Sequence, residues 1–205
     1  MKNIILDFGH GGLDKNGRYT TFPNKMFKHA NGETAYEGVL NRQIGGLLEL
    51  YLKSHANLNV ITTVKSSDPR DISLAHRVQI ANSYDPKDTI FISIHSNASD
   101  LHNASGFEIF TTTGNTKSDL LATAIGNRVG VLYNKLNLRL RFDFQDGDLD
   151  KEKDYYVLRK TNCPSVLIEC LFFDHWNDYL LLKNPEFQKN ISWEIYQGIR
   201  QYLNL

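Results

Sequence analysis

Short, continuous apolar runs rich in β-branched residues alternate along this chain with longer segments whose apolar positions recur every three or four residues. The runs cover 3–7, 58–64, 89–95, 106–112 and 165–170, and their brevity marks them as strands rather than buried helices. Helical periodicity covers 34–55, 72–83, 120–136 and 187–203. The first of these places Leu40, Ile44, Leu47, Leu48 and Leu52 on one face, although Gly45-Gly46 in its interior weakens it. Strands alternating with helices imply an α/β fold with a largely parallel sheet packed between helices. Residues 13–32 and 137–154 have no steady period and are expected to be long loops.

At 205 residues the chain is expected to form a single domain, 1–205, without needing disulfides. Its two cysteines, Cys163 and Cys170, fit no zinc-finger or redox spacing and are read as buried free thiols. Lys+Arg and Asp+Glu each total 23, so the net charge is zero and no global field draws the molecule to nucleic acid or an anionic membrane. No apolar stretch approaches the roughly 18 residues of a membrane span. The amino-terminal apolar run is too short for a signal peptide, so synthesis in the cytoplasm is expected. The expectation is a monomer with no nucleic-acid partner and no membrane insertion.

Three of the strand-like runs deliver a polar side chain at or just beyond their carboxyl ends: His10, His95 and Glu169. Ligands of open α/β sheets bind at that edge, and burying such groups without a partner costs several kcal/mol. Glu37, near the start of the first helix, is a fourth candidate. A catalytic zinc site commonly takes three protein ligands, such as two histidines and a carboxylate, and leaves a fourth position open. His10, Glu37 and His95 supply that set, which leaves Glu169 as a general base.

Other readings stand beside these. Thr34-Ala35-Tyr36-Glu37 also fits a capping box, in which Glu37 bonds back to the cap residue, and Glu33 is an alternative ligand one turn earlier. Asp7 either orients a metal-bound histidine or holds the glycine-rich turn that follows it. Arg77 and Asn82 read as scaffold, and His29, His55, His76, His102 and His175 as surface or loop residues. Tyr155-Tyr156 and Phe142 with Phe144 read as core or loop packing, with a groove lining as the other option.

Taken in order, Leu6-Asp7-Phe8-Gly9-His10-Gly11-Gly12, Glu37-Gly38-Val39-Leu40-Asn41, Leu74-Ala75-His76-Arg77, Phe91-Ile92-Ser93-Ile94-His95-Ser96-Asn97-Ala98, Gly106-Phe107-Glu108 and Pro164-Ser165-Val166-Leu167-Ile168-Glu169 span nearly the whole chain. This series resembles the zinc-dependent N-acetylmuramoyl-L-alanine amidases of the amidase-3 type, which cleave bacterial peptidoglycan. The resemblance implies a twisted six-stranded sheet, zinc held by His10, Glu37 and His95, and Glu169 as the catalytic carboxylate. It also implies hydrolysis of the amide joining N-acetylmuramic acid to L-alanine, with action on the cell wall after release or export. Phe8 stands where the family has proline, and Cys170-Leu171-Phe172-Phe173-Asp174-His175 replaces a Gly-Phe-small-Asn pattern. The competing functions are a zinc peptidase or deacetylase acting on another amide, and a catalytically silent wall-binding module.

Overall fold

In the computed structural model, which describes residues 1–145 and 147–205, the elements in chain order are β1 (Lys2–Phe8), β2 (Met26–Lys28), β3 (Thr34–Tyr36), α1 (Glu37–Lys53), β4 (Leu58–Thr62), α2 (Leu74–Asn82) and β5 (Thr89–Asn97). There follow β6 (Glu108–Thr111), α3 (Lys117–Lys135), β7 (Lys151–Glu152), α4 (Tyr156–Arg159), β8 (Ser165–Phe172), α5 (Trp176–Leu182) and α6 (Pro185–Leu203). Six strands form one sheet in the order β4-β1-β5-β8-β6-β7. Every pairing in it is parallel except that of β6 with β8. The largely parallel α/β sheet expected from the sequence is therefore present.

Period-2 burial on the strands sorts side chains between two layers. Ile4, Leu6, Phe8, Ile92, Ile94, Val166 and Ile168 meet the apolar faces of α1, α3 and α6. Ile5, Phe91, Phe110 and Leu167 face the opposite way, onto Val78 and Ala81 of α2 and Val157 and Leu158 of α4. From β1 the chain passes to β4 on one side, and β5 then pairs on the other. The carboxyl ends of β1 and β5 thus flank the point where the winding reverses, the usual ligand position in such sheets.

Several boundaries differ from expectation, each for a local reason. Residues 34–36 are strand rather than helix because they pair with β2, which also breaks the expected 13–32 loop. Helix α1 therefore begins at Glu37. Helix α3 starts at Lys117, where Thr116 and Asp119 form a capping box, and α6 starts at Pro185 after the Asn184 cap. The expected 137–154 loop carries β7, and position 146 within it lies outside the described residues. Helix α5 was not anticipated; at seven residues it is too short for the period to register. Both cysteines are buried and unbridged, as expected.

One oddity of the sequence explains another. Phe8 is fully buried, and a β-carbon added to Gly45 would lie 2.4 Å from its ring. The glycine inside α1 is the space into which Phe8 fits.

Candidate metal centre

The residues singled out from the sequence arrive at the carboxyl edge of the sheet from separate elements. Register places His95 of β5 opposite Glu169 of β8, and Glu169 opposite Glu108 of β6. Gly9, just past β1, donates its N–H to the carbonyl of Ile94 at 3.0 Å, so it extends this row by one strand. Its lack of a side chain is required: a β-carbon there would stand 2.2 Å from the imidazole of His95. His10 follows in the left-handed region, with φ 64°, and its ring meets that of His95 edge-on, centroids 5.0 Å apart.

Glu37 reaches the same point from the first turn of α1. It is 1% exposed, and its Oε1 lies 2.9 Å from Nδ1 of His95 and 3.3 Å from Nε2 of His10. Its side chain caps nothing, which removes the capping-box reading; the helix is preceded by Tyr36, whose side chain makes no cap bond. Glu33 is half-buried and paired with Lys183, away from this cluster. Main-chain contacts fix the start of the helix: the N–H of Glu37 donates to the carbonyl of Lys25, and that of Gly38 to the hydroxyl of Tyr19.

His10, Glu37 and His95 each offer a donor atom within 4.8 Å of the others. Donors ~2.0–2.2 Å from a shared tetrahedral ion stand roughly 3.3–3.5 Å apart, and Glu37 Oε1 lies at or a little inside that spacing, 3.3 Å from His10 and 2.9 Å from His95. The donor chemistry also fits, two imidazoles and one carboxylate. Among the described residues, Nε2 of His10 makes no hydrogen bond beyond its 3.3 Å approach to Glu37, and Oε2 of Glu169 makes none; both atoms are sealed from solvent. Unpaired polar atoms in a buried site are the signature expected of ligand and reaction positions.

Electrostatics follow from this crowding. Burial pushes the Glu37 carboxyl up, but His10 and then His95 outweigh it and hold Glu37 well below the usual carboxylate range. Burial lowers the pKa of His95, with Glu37 partly opposing. Burial and then the charge of Glu37 push Glu169 well above its ordinary value. Glu108 differs from its neighbour: although burial raises it, Arg141 and Lys151 hold it low.

Two residues absent from the expected site support it. Asn41, fully buried one turn after Glu37, donates from Nδ2 to Glu37 Oε1 at 3.3 Å and to the carbonyl of Gly9, while its Oδ1 accepts from Ser96. The i, i+4 spacing of Glu37 and Asn41 in the sequence was the available signal. Lys25 places Nζ 3.8 Å from Glu37 Oε2.

The cavity beside the centre, about 230 Å³, is lined by His10, His95, Glu169, Lys25, Tyr155 and Tyr156 among others. The tyrosine pair is therefore a wall of the site, whereas Phe142 packs against the main core. Asp7 bonds to Thr63, Ser93 and Arg77 and to no histidine ring, so it holds the chain rather than orienting a ligand. His29 departs from its expected surface position: it is buried, stacked on Tyr179, with Nε2 3.1 Å from the carbonyl of Phe173.

A family model described as N-acetylmuramoyl-L-alanine amidase matches residues 4–201. An endolysin of Bacillus phage SPP1 is 28% identical over 207 residues, covering 100% of this chain and 67% of the phage protein. An uncharacterized cell wall amidase of Bacillus anthracis is 31% identical over 205 residues, covering 98% of this chain and 35% of that protein. The chain thus spans between about a third and two thirds of these curated relatives. The CwlD amidase of Clostridioides difficile, solved with the GerS lipoprotein, superposes with a TM-score of 0.78 at 28% identity, covering 100% of this chain and 99% of that one.

Proposed function

The chain belongs to the N-acetylmuramoyl-L-alanine amidase family, and on that premise we propose that it hydrolyses the amide between N-acetylmuramic acid and the L-alanine of the peptidoglycan stem peptide. In this reading His10, Glu37 and His95 hold a zinc ion and Glu169 is the general acid–base. The observation that carries it is the convergence of those three donors, from three distant stretches of sequence, in a cavity that Glu169 also lines.

Zinc bound there supplies Lewis acidity, acidifying water and polarising the scissile carbonyl. Glu37 brings the one negative charge of the donor set, and Asn41 fixes which of its oxygens points at the histidines. The burial of His95 lowers its proton affinity, which suits a metal ligand that must be unprotonated. Glu169 takes a proton from the attacking water and delivers it to the leaving nitrogen of L-alanine, the double duty of a single general acid–base. Burial raises its proton affinity, which suits a group that must hold the proton between the two transfers. Tyr155 and Tyr156 supply an apolar wall with polar tips, suited to the muramoyl ring and its lactyl arm. The cell wall is accordingly the proposed place of action and peptidoglycan the proposed partner.

Glu169→Gln is expected to keep one zinc per chain by elemental analysis and to lose at least roughly a hundredfold in release of stem peptides from purified peptidoglycan. Mass spectrometry should find intact peptides with free L-alanine amino ends. Cleavage at another amide points to the peptidase or deacetylase alternative, and zinc-free protein that binds wall without cutting it points to a silent module. Wild-type turnover by the Glu169 variant removes Glu169 from the mechanism.

A further inference from the structure

A second group of acids stands at the β7 edge of the sheet. Asp119, in the first turn of α3, and Asp148 and Asp150, just before β7, each present an oxygen within 4.8 Å of the others. Asp150 is 2% exposed; its Oδ2 accepts from the hydroxyl of Thr111 at 2.6 Å, while its Oδ1 is sealed from solvent with no hydrogen-bond donor among the described residues. Oδ1 of Asp148 is likewise sealed, with no hydrogen-bond donor among the described residues. Among the described residues no lysine, arginine or histidine forms an ion pair with any of the three. The neighbouring cation, Lys151, sends its Nζ to Glu108 instead, at 2.5 Å.

Asp119 already accepts from the N–H and the hydroxyl of Thr116, whereas the unpartnered oxygens of Asp148 and Asp150 are costly unless a proton or a cation intervenes. Burial, opposed by the Thr111 hydroxyl and reinforced by the hydrogen bond to Asp148 and the charges of Asp148 and Asp119, pushes Asp150 up to about 7. At neutral pH a proton shared between Asp150 and Asp148 therefore answers part of this cost, and a cation binds in competition with it.

We infer that Asp119, Asp148 and Asp150 bind a calcium ion, at a site separate from the His10–Glu37–His95 centre. All the donors are hard oxygens, which disfavours zinc or copper. Several carboxylates on an irregular loop suit calcium, which accepts variable geometry; magnesium demands a near-ideal octahedron and holds its waters. The bound ion ties the segment before β7 to the start of α3. It thereby steadies Lys151, whose ammonium, with Arg141, clamps Glu108 beside Glu169 in the row across the sheet. The inference does not depend on the amidase reading.

The test is calorimetric titration of CaCl₂ into the full chain, carried in calcium-free buffer with stoichiometric zinc at pH 7.5. One site per chain is expected, with Kd roughly millimolar or tighter. The thermal midpoint should rise by roughly 5 °C at a hundredfold excess over Kd. Asp148→Asn and Asp150→Asn should each weaken calcium binding at least tenfold while zinc content is unchanged. Asparagine at 150 still accepts from Thr111, and if that variant fails to fold, Asp148→Asn decides the matter. Absence of binding heat and of any midpoint shift in 10 mM CaCl₂ overturns the proposal. So does calcium binding that folded variants retain, or magnesium binding of equal strength.

Discussion

At the level of single residues, the centre depends on what turns Glu37 toward the histidines. Its carboxylate is held by His95, His10 and Asn41 and makes no cap bond to its own helix. Two substitutions separate those roles. Glu37→Gln should cost most of the zinc, because an amide is a poor ligand, while far-UV circular dichroism stays that of the parent. Asn41→Ala should keep the ligands but lower zinc affinity by roughly 10–100-fold, the usual effect of losing a partner behind a ligand. Competition with a chromogenic chelator measures both; unchanged affinity in the two variants would remove Glu37 from the donor set. Glu37 itself was legible in the sequence, but its competing capping role was not resolvable there. The outcome turned on residues 34–36, whose pairing with β2 delays the helix until Glu37.

Among the elements, the contact of α1 with β1 is the most specific. Alanine at 45 would gain helix propensity of about 1 kcal/mol over glycine, yet its β-carbon has no room beside Phe8. Overpacking costs roughly 1–3 kcal/mol, so Gly45→Ala is expected to destabilise the fold on balance. In a Phe8→Leu background, which withdraws the ring, the same change should become neutral or stabilising. A double-mutant cycle in urea measures this, and strict additivity would deny the contact. A pair of glycines inside a helical period reads as a weakness when only the helix is considered. Its purpose emerges only when the strand that packs there is known, and hence periodicity alone could not supply it.

For the molecule as a whole, Asp7 joins four parts of the chain. Its carboxylate takes Arg77 of α2, Thr63 beyond β4 and Ser93 of β5 while itself lying on β1. Burial raises its pKa, but Arg77 and the two hydroxyls outweigh this and leave it lowered. A depressed folded pKa gives stability that is complete above the unfolded value near 4 and fades as pH falls through the folded one. Asp7→Asn leaves the fully buried Arg77 with Asp71, 3.3 Å away, as its one remaining carboxylate and should cost about 3 kcal/mol at pH 7 by urea denaturation. The gap should narrow below pH 4; a constant gap would show that the charge of Asp7 is not responsible. The fold class and the order of the main strands and helices were readable because buried parallel strands and amphipathic helices leave different periods. The tyrosine wall was readable only as the second option and the clamp on Glu108 not at all, since both are assembled from segments without a period, brought in by the tertiary fold.

His10 and His95 hang from or follow adjacent strands of one ladder, whereas Glu37 stands on a helix whose first residues are tied to Tyr19 and Lys25 of the preceding loop. Two coordinates of the centre are therefore set by the sheet and the third by a surface segment. For anyone transplanting that segment between homologues to retune substrate choice, the exchange is not free. A chimera that discards Tyr19 or the carbonyl at 25 would release the first turn of α1 and displace Glu37 from the histidines, so grafts should begin and end inside those two anchor points.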